Sequence, residues 1–118
     1  MDISTNIRGN YLLVRLKGDF DMHTAPDFKE KVISKMEEND LKQLVLNLNQ
    51  VNFIDSTGLG AILGRYRNLT DKGGKLILVG LNSQVKRILK LSGVLELMPV
   101  YESEKEVFKK LKGGQNIV

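Results

Sequence analysis

Asp55-Ser56-Thr57-Gly58-Leu59-Gly60 brings a hydroxyl, a carboxylate and permissive backbone together where an apolar strand gives way to a helical pattern. The spacing places Ser56 at the cap of the following helix, a position that serine and aspartate also take for purely structural reasons. Gly58 supplies freedom next to the hydroxyl, and Gly60 and Gly64 follow Ser56 at intervals of four, on one helical stripe. Each glycine inside a helix costs roughly 1 kcal/mol relative to alanine, so the stripe wants a reason. Either it admits another protein surface close to the serine, or it packs against a neighbouring element of the same domain. A phosphoryl group on Ser56 would meet the positive helix end and its free amides. It would also add about −1.5 to −2 charge beside Asp55, repelling a partner with acidic or apolar groups opposite. That chemistry makes a switch. A second cluster, Gly18-Asp19-Phe20-Asp21-Met22-His23-Thr24-Ala25, holds two aspartates and the one histidine of the chain. Both clusters follow strands, and open α/β sheets place ligands beyond the carboxyl ends of their strands.

The elements that must hold these turns are legible from periodicity. Ile3 to Gly9 reads as a polar edge strand, and Gly9-Asn10, both tolerant of positive φ, as a hairpin turn into Tyr11–Leu16. Thr24 is expected to cap a helix with Pro26 in its first turn and Ala25, Phe28, Val32 and Met36 on its inner face, ending near Asn39-Asp40. Leu44-Val45-Leu46 is continuous rather than alternating, as in a parallel strand covered on both faces. A helix over Thr57–Asp71 follows, with Leu59, Ile62, Leu63, Tyr66 and Leu69 inward and Gly73-Gly74 as its stop. Lys75–Val79 is a buried strand, and Asn82 or Ser83 caps a helix carrying Val85, Ile88 and Leu89. A short strand is expected near Leu95–Val100, then a capping box, Ser103 to Glu106, opening a helix with Val107, Phe108 and Leu111 inward. Alternation after an opening hairpin predicts one α/β domain over residues 1–113, with a loose tail at 114–118. The sheet should be mostly parallel, of four or five strands with an antiparallel edge strand, and carry about four helices.

These segments carry a family resemblance. Gly18-Asp19-Phe20-Asp21-Met22-His23-Thr24-Ala25, Val45-Leu46-Asn47-Leu48 and the run from Asp55 to Tyr66 resemble the bacterial anti-sigma factor antagonists of the STAS family, most of all the sporulation type. The resemblance implies a STAS fold and Ser56 as phosphoacceptor. It implies two partners: an anti-sigma factor with serine-kinase activity, held by the unphosphorylated form so that the sigma factor is freed, and a serine phosphatase that resets the switch. Asp21 matches the first-turn aspartate that aids partner recognition, and Asp55 the acidic residue before the acceptor. Thr57 stands where many members have a second serine. With Ser56, Gly58, Gly60 and Gly64, these residues form the expected contact set.

Composition narrows the alternatives. The chain has 118 residues and no cysteine, which excludes disulfides, thiolate metal sites and thiol nucleophiles. The polar start Met1–Asn6 lacks the pattern of a signal peptide, and no apolar run approaches the ~20 residues that span a bilayer, so a cytoplasmic protein without membrane contact is expected. Residues 1–59 carry a net −2 and residues 60–118 a net +6. Arg65, Arg67, Lys86, Arg87 and Lys90 are scattered without interleaved aromatic rings, so direct nucleic-acid binding is not expected. Ser56, His23 and an aspartate can be drawn as a triad, but no Gly-x-Ser-x-Gly elbow surrounds Ser56, and no enzyme is expected. One histidine with scattered carboxylates suits turns better than a metal, and no cofactor is expected. A P-loop is absent, which leaves only weak nucleotide contact at the same turn open.

Overall fold

A computed structural model describes residues 1–112. Its elements are β1 (Asp2–Arg8), β2 (Tyr11–Phe20), α1 (Ala25–Glu38), β3 (Gln43–Ile54), α2 (Ser56–Asp71), β4 (Lys75–Val79), α3 (Ser83–Leu91), a 3₁₀ turn (Val94–Glu96), β5 (Val100–Tyr101) and α4 (Glu104–Lys112). The strands lie in the order β1-β2-β3-β4-β5; β1 and β2 are antiparallel and every other pair is parallel. The expected α/β architecture is thus present among the described residues. The tail expected at 114–118 lies outside them.

Side-chain alternation along the strands builds two cores. Leu12, Val14, Leu16, Leu44, Leu46, Leu48, Leu76 and Leu78 face one side, where Phe28 and Val32 of α1, Ile62 and Leu69 of α2, and Val85 and Leu89 of α3 cover them. Tyr11, Leu13, Val45, Ile77 and Val79 face the other side, where Val107 of α4 packs with Phe108 and Leu111 at its margin. Leu44-Val45-Leu46 is fully buried because successive residues enter opposite cores. The stop of α2 is a Schellman turn: Gly73, at φ +78°, donates to Thr70 O at 3.0 Å and Gly74 to Leu69 O at 2.7 Å.

Several expectations need correction. β2 and β3 run on to Phe20 and Ile54, because shifts of register at Arg15/Lys17 and Gly18/Asp19 keep the two strands paired through half-polar sequence. The hairpin at Gly9-Asn10 forms as expected, with Gly9 at positive φ, +61°, as a two-residue turn with glycine leading requires. The strand expected near Leu95–Val100 is a 3₁₀ turn at Val94–Glu96, and only Val100–Tyr101 reaches β4. Thr24 precedes α1 without capping it by its side chain. Its hydroxyl points back, donating to Asp19 O at 2.9 Å and accepting from the Asp21 amide at 3.0 Å.

A polar clamp docks α4. Arg15 Nε and Nη2 donate to both oxygens of Glu104 at 2.8 and 2.7 Å, and Asn47 Nδ2 donates to Oε2 at 2.6 Å. The Arg15 bond, helped by Asn47 and against some desolvation, holds the Glu104 carboxyl below the usual glutamate range. A carboxyl with a lowered folded pKa stabilises the fold above its unfolded value, about 4.3, and loses that contribution as pH falls through the folded value. We therefore expect α4 amides to lose hydrogen-exchange protection as pH drops below about 4.3, and Glu104→Gln to flatten that dependence. With Arg15 half exposed the clamp should contribute under ~1 kcal/mol. Protection of the α4 amides, relative to intrinsic exchange at each pH, that does not fall across that range would show that the clamp does not hold the helix.

Candidate functional site

β2 and β3 end side by side, with Phe20 opposite Ile54, and the Asp55 amide donates to Phe20 O at 3.2 Å. From this point each strand turns into its own helix. Asp55, not Ser56, caps α2: its Oδ1 accepts from the Gly58 amide at 2.9 Å. Its Oδ2 accepts from the Met22 amide at 3.1 Å and so ties the two turns together across the sheet end. The expected cap position of Ser56 is corrected accordingly; Ser56 is the first residue of α2. Both residue types cap well, and the aspartate wins because its second oxygen is claimed by an amide that only tertiary folding brings near.

This shift frees the serine. Ser56 is exposed, as is Thr57 beside it, and neither hydroxyl makes a hydrogen bond among the described residues. Asp21 sits half-buried on the turn after β2. Its Oδ1 accepts from the amides of His23 at 2.9 Å and Thr24 at 3.2 Å, organising the entry to α1. Partial desolvation pushes the Asp21 carboxyl up, but the His23 and Thr24 amides outweigh it and keep it below the ordinary aspartate value. It is therefore an anion at neutral pH.

The glycines divide into two groups. A Cβ on Gly58 would lie 2.2 Å from Phe20 O, so this buried glycine exists for close packing of α2 on the end of β2. Among the described residues a Cβ on Gly60 or Gly64 would meet nothing within 4 Å, and both glycines are exposed. The stripe from Ser56 through Gly60 to Gly64 therefore faces open space. Met22, 62% exposed, stands on the turn after β2, and Phe53, 49% exposed, is the next-to-last residue of β3. Neither was singled out from sequence; an apolar residue at the end of a strand or in a turn is ambiguous until its face is known.

The arrangement offers two exposed hydroxyls, of Ser56 and Thr57, beside the carboxyl groups of Asp21 and Asp55 on the joined turns. His23 is exposed and its side chain makes no hydrogen bond to Ser56 among the described residues. Among these residues no three carboxylate or imidazole groups gather as a metal site. Clefts of about 490 Å³ between the carboxyl-terminal ends of α1 and α2, and about 570 Å³ between β1 and α1, lie away from Ser56. No helix of the described residues is long and apolar enough to cross a membrane.

The family model of the STAS domain matches residues 2–107. An anti-sigma F factor antagonist of Paenibacillus polymyxa is 36% identical over 101 residues, covering 86% of each chain. Among solved structures, an anti-sigma factor antagonist from Mycobacterium paratuberculosis superposes with a TM-score of 0.82 at 22% identity, covering 94% of this chain and 93% of that one. The phosphorylated form of the Bacillus cell fate determinant SpoIIAA gives a TM-score of 0.76 at 22% identity, covering 93% and 99%. These two structures share the fold with this chain.

Proposed function

The chain belongs to the STAS domain family, and we propose that it is an anti-sigma factor antagonist switched by phosphorylation of Ser56. In the unphosphorylated state it binds an anti-sigma factor that is also a serine kinase, and the sigma factor is released. Phosphoryl transfer to Ser56 ends that complex, and a serine phosphatase restores the binding form. The protein acts by binding and has no catalytic residue of its own.

The observation that carries this reading is the Ser56 hydroxyl, exposed and, among the described residues, unbonded because Asp55 does the capping. An acceptor must reach a kinase active site without dismantling its own domain, and this one can. Asp21, Asp55, Thr57, Gly60 and Gly64 would border the contact, with Gly58 supporting it from beneath. A dianion at the first position of α2 is compatible with the helix end and leaves the fold intact. The same dianion would face the partner across a stripe without side chains, where nothing holds the two surfaces apart. Its cost falls on the complex, not on the domain.

The direct test is mass spectrometry after incubation with ATP and an anti-sigma factor serine kinase from the same genome. One phosphoryl group on the peptide containing Ser56 is expected. Modification elsewhere, or none with any such kinase, would end the assignment. The glycine stripe gives a second test. Gly60→Leu should weaken kinase binding by tenfold or more, since a branched side chain would stand in the contact. Its melting temperature should hold or rise, because leucine is a better helix former by about 1 kcal/mol and meets empty space. Unchanged affinity measured by calorimetry would remove the stripe from the interface.

A further inference from the structure

The outer edge of β1 has a self-complementary sequence. Asp2-Ile3-Ser4-Thr5-Asn6-Ile7-Arg8 ends on opposite charges, with an isoleucine one step in from each end and Thr5 at the centre. Laid antiparallel on a second copy about Thr5, Asp2 faces Arg8, Ile3 faces Ile7, Ser4 faces Asn6, and Thr5 faces itself. We infer that this edge pairs with the same edge of another molecule, joining two five-stranded sheets into one across a two-fold axis.

Backbone direction supports that register. Arg8 and Tyr11 flank the two-residue turn and pair across it, so residues 2, 4, 6 and 8 turn their amides and carbonyls toward β2. Residues 3, 5 and 7 then point theirs outward. Lys31 Nζ donating to Ile3 O at 2.9 Å fits this orientation. A register centred on Thr5 joins residues 3, 5 and 7 with 7, 5 and 3 of the second copy, making about six N–H···O bonds. Centring on Ser4 or Asn6 would make about four and would break both charge pairs.

Side chains agree with the backbone. Ile3, Thr5 and Ile7 stand opposite Leu16, Val14 and Leu12, on the face covered by α1. Ile7 is 43% exposed, and beside Ile3 runs the groove of about 570 Å³ between β1 and α1. Ile7 of the second copy would lie next to Ile3 over that groove. The devices that usually protect an edge are nearly absent: β1 contains no lysine and no proline, and its pairing with β2 has no bulge. Among the described residues Lys31 guards the edge, occupying one outward carbonyl. Ser56 lies at the end of β3, two strands from the seam.

Sedimentation equilibrium and cysteine crosslinking test the pairing. The wild-type chain should show a concentration-dependent monomer–dimer equilibrium. Arg8→Asp should weaken it about tenfold or more, because two attractive cross-strand pairs become repulsive, and Asp2→Arg with Arg8→Asp should restore it. Since the protein has no cysteine, Thr5→Cys introduces a unique thiol. At the axis its Cα would lie about 5.5 Å from its mate, within disulfide reach, so mild oxidation should give a covalent dimer. Ile3→Cys should not, its mate being roughly 14 Å away along the strand. A monomer at every concentration up to millimolar, or equal crosslinking by the two cysteine variants, would overturn the inference. So would a dimer indifferent to both charge changes.

Discussion

Ser56→Ala should take up no phosphate from the anti-sigma factor kinase while binding it as tightly as the wild-type chain does. Ser56→Asp should bind it ten- to a hundredfold more weakly. The two variants separate because the hydroxyl is exposed and bears no hydrogen bond that the fold needs. Removing it costs the domain little. A carboxylate at that position meets the positive end of α2, which is worth about 0.3–1 kcal/mol in favour of the fold. The Ser56→Asp domain should therefore melt at or slightly above the wild-type temperature while its complex weakens. An unpaired charge buried in an interface costs about 2–5 kcal/mol, and partial solvation brings that toward the lower figure. Calorimetric titration of both variants with the kinase checks the pair. Equal affinities would mean that charge at Ser56 is not what separates the proteins.

Gly58→Ala should be the most damaging single-methyl change near the site. Its Cβ would stand 2.2 Å from Phe20 O, 2.9 Å from Phe20 C and 3.1 Å from the Phe20 ring. Phe20 cannot yield, because its ring is fully buried and lies 4.8 Å from that of Phe28. Its carbonyl also receives the Asp55 amide. The start of α2 and the end of β2 would have to separate. That disturbs the turn holding Ser56 as well as the core, at a cost of about 3 kcal/mol, against roughly 1 kcal/mol gained in helix propensity. A fall in melting temperature of about 10 °C is expected. Gly60→Ala, two residues on, should be neutral or stabilising, since its Cβ meets open space. Thermal unfolding followed by circular dichroism distinguishes them, and equal melting temperatures would refute the close apposition.

These two glycines show where the sequence stops informing. What a residue does to its own segment was legible: the 3.6-residue recurrence of Ala25, Phe28, Val32 and Met36 matches the buried face of α1. The continuous apolar run at Leu44-Val45-Leu46 matched a central parallel strand, and Gly73-Gly74 marked the end of α2. Such features are set by neighbours within about one turn or one pleat, which the sequence lists in order. The motif around Ser56 was legible too, because its residue types lie side by side. The roles inside the motif were decided by groups distant in the chain. The Met22 amide, thirty-three residues away, takes the second oxygen of Asp55 and settles which residue caps α2. Phe20 makes Gly58 a packing residue, while the absence of any such neighbour leaves Gly60 and Gly64 open. Periodicity states which residues share a face; only the packed chain determines what stands opposite that face, because contact is a property of two segments and pattern is a property of one.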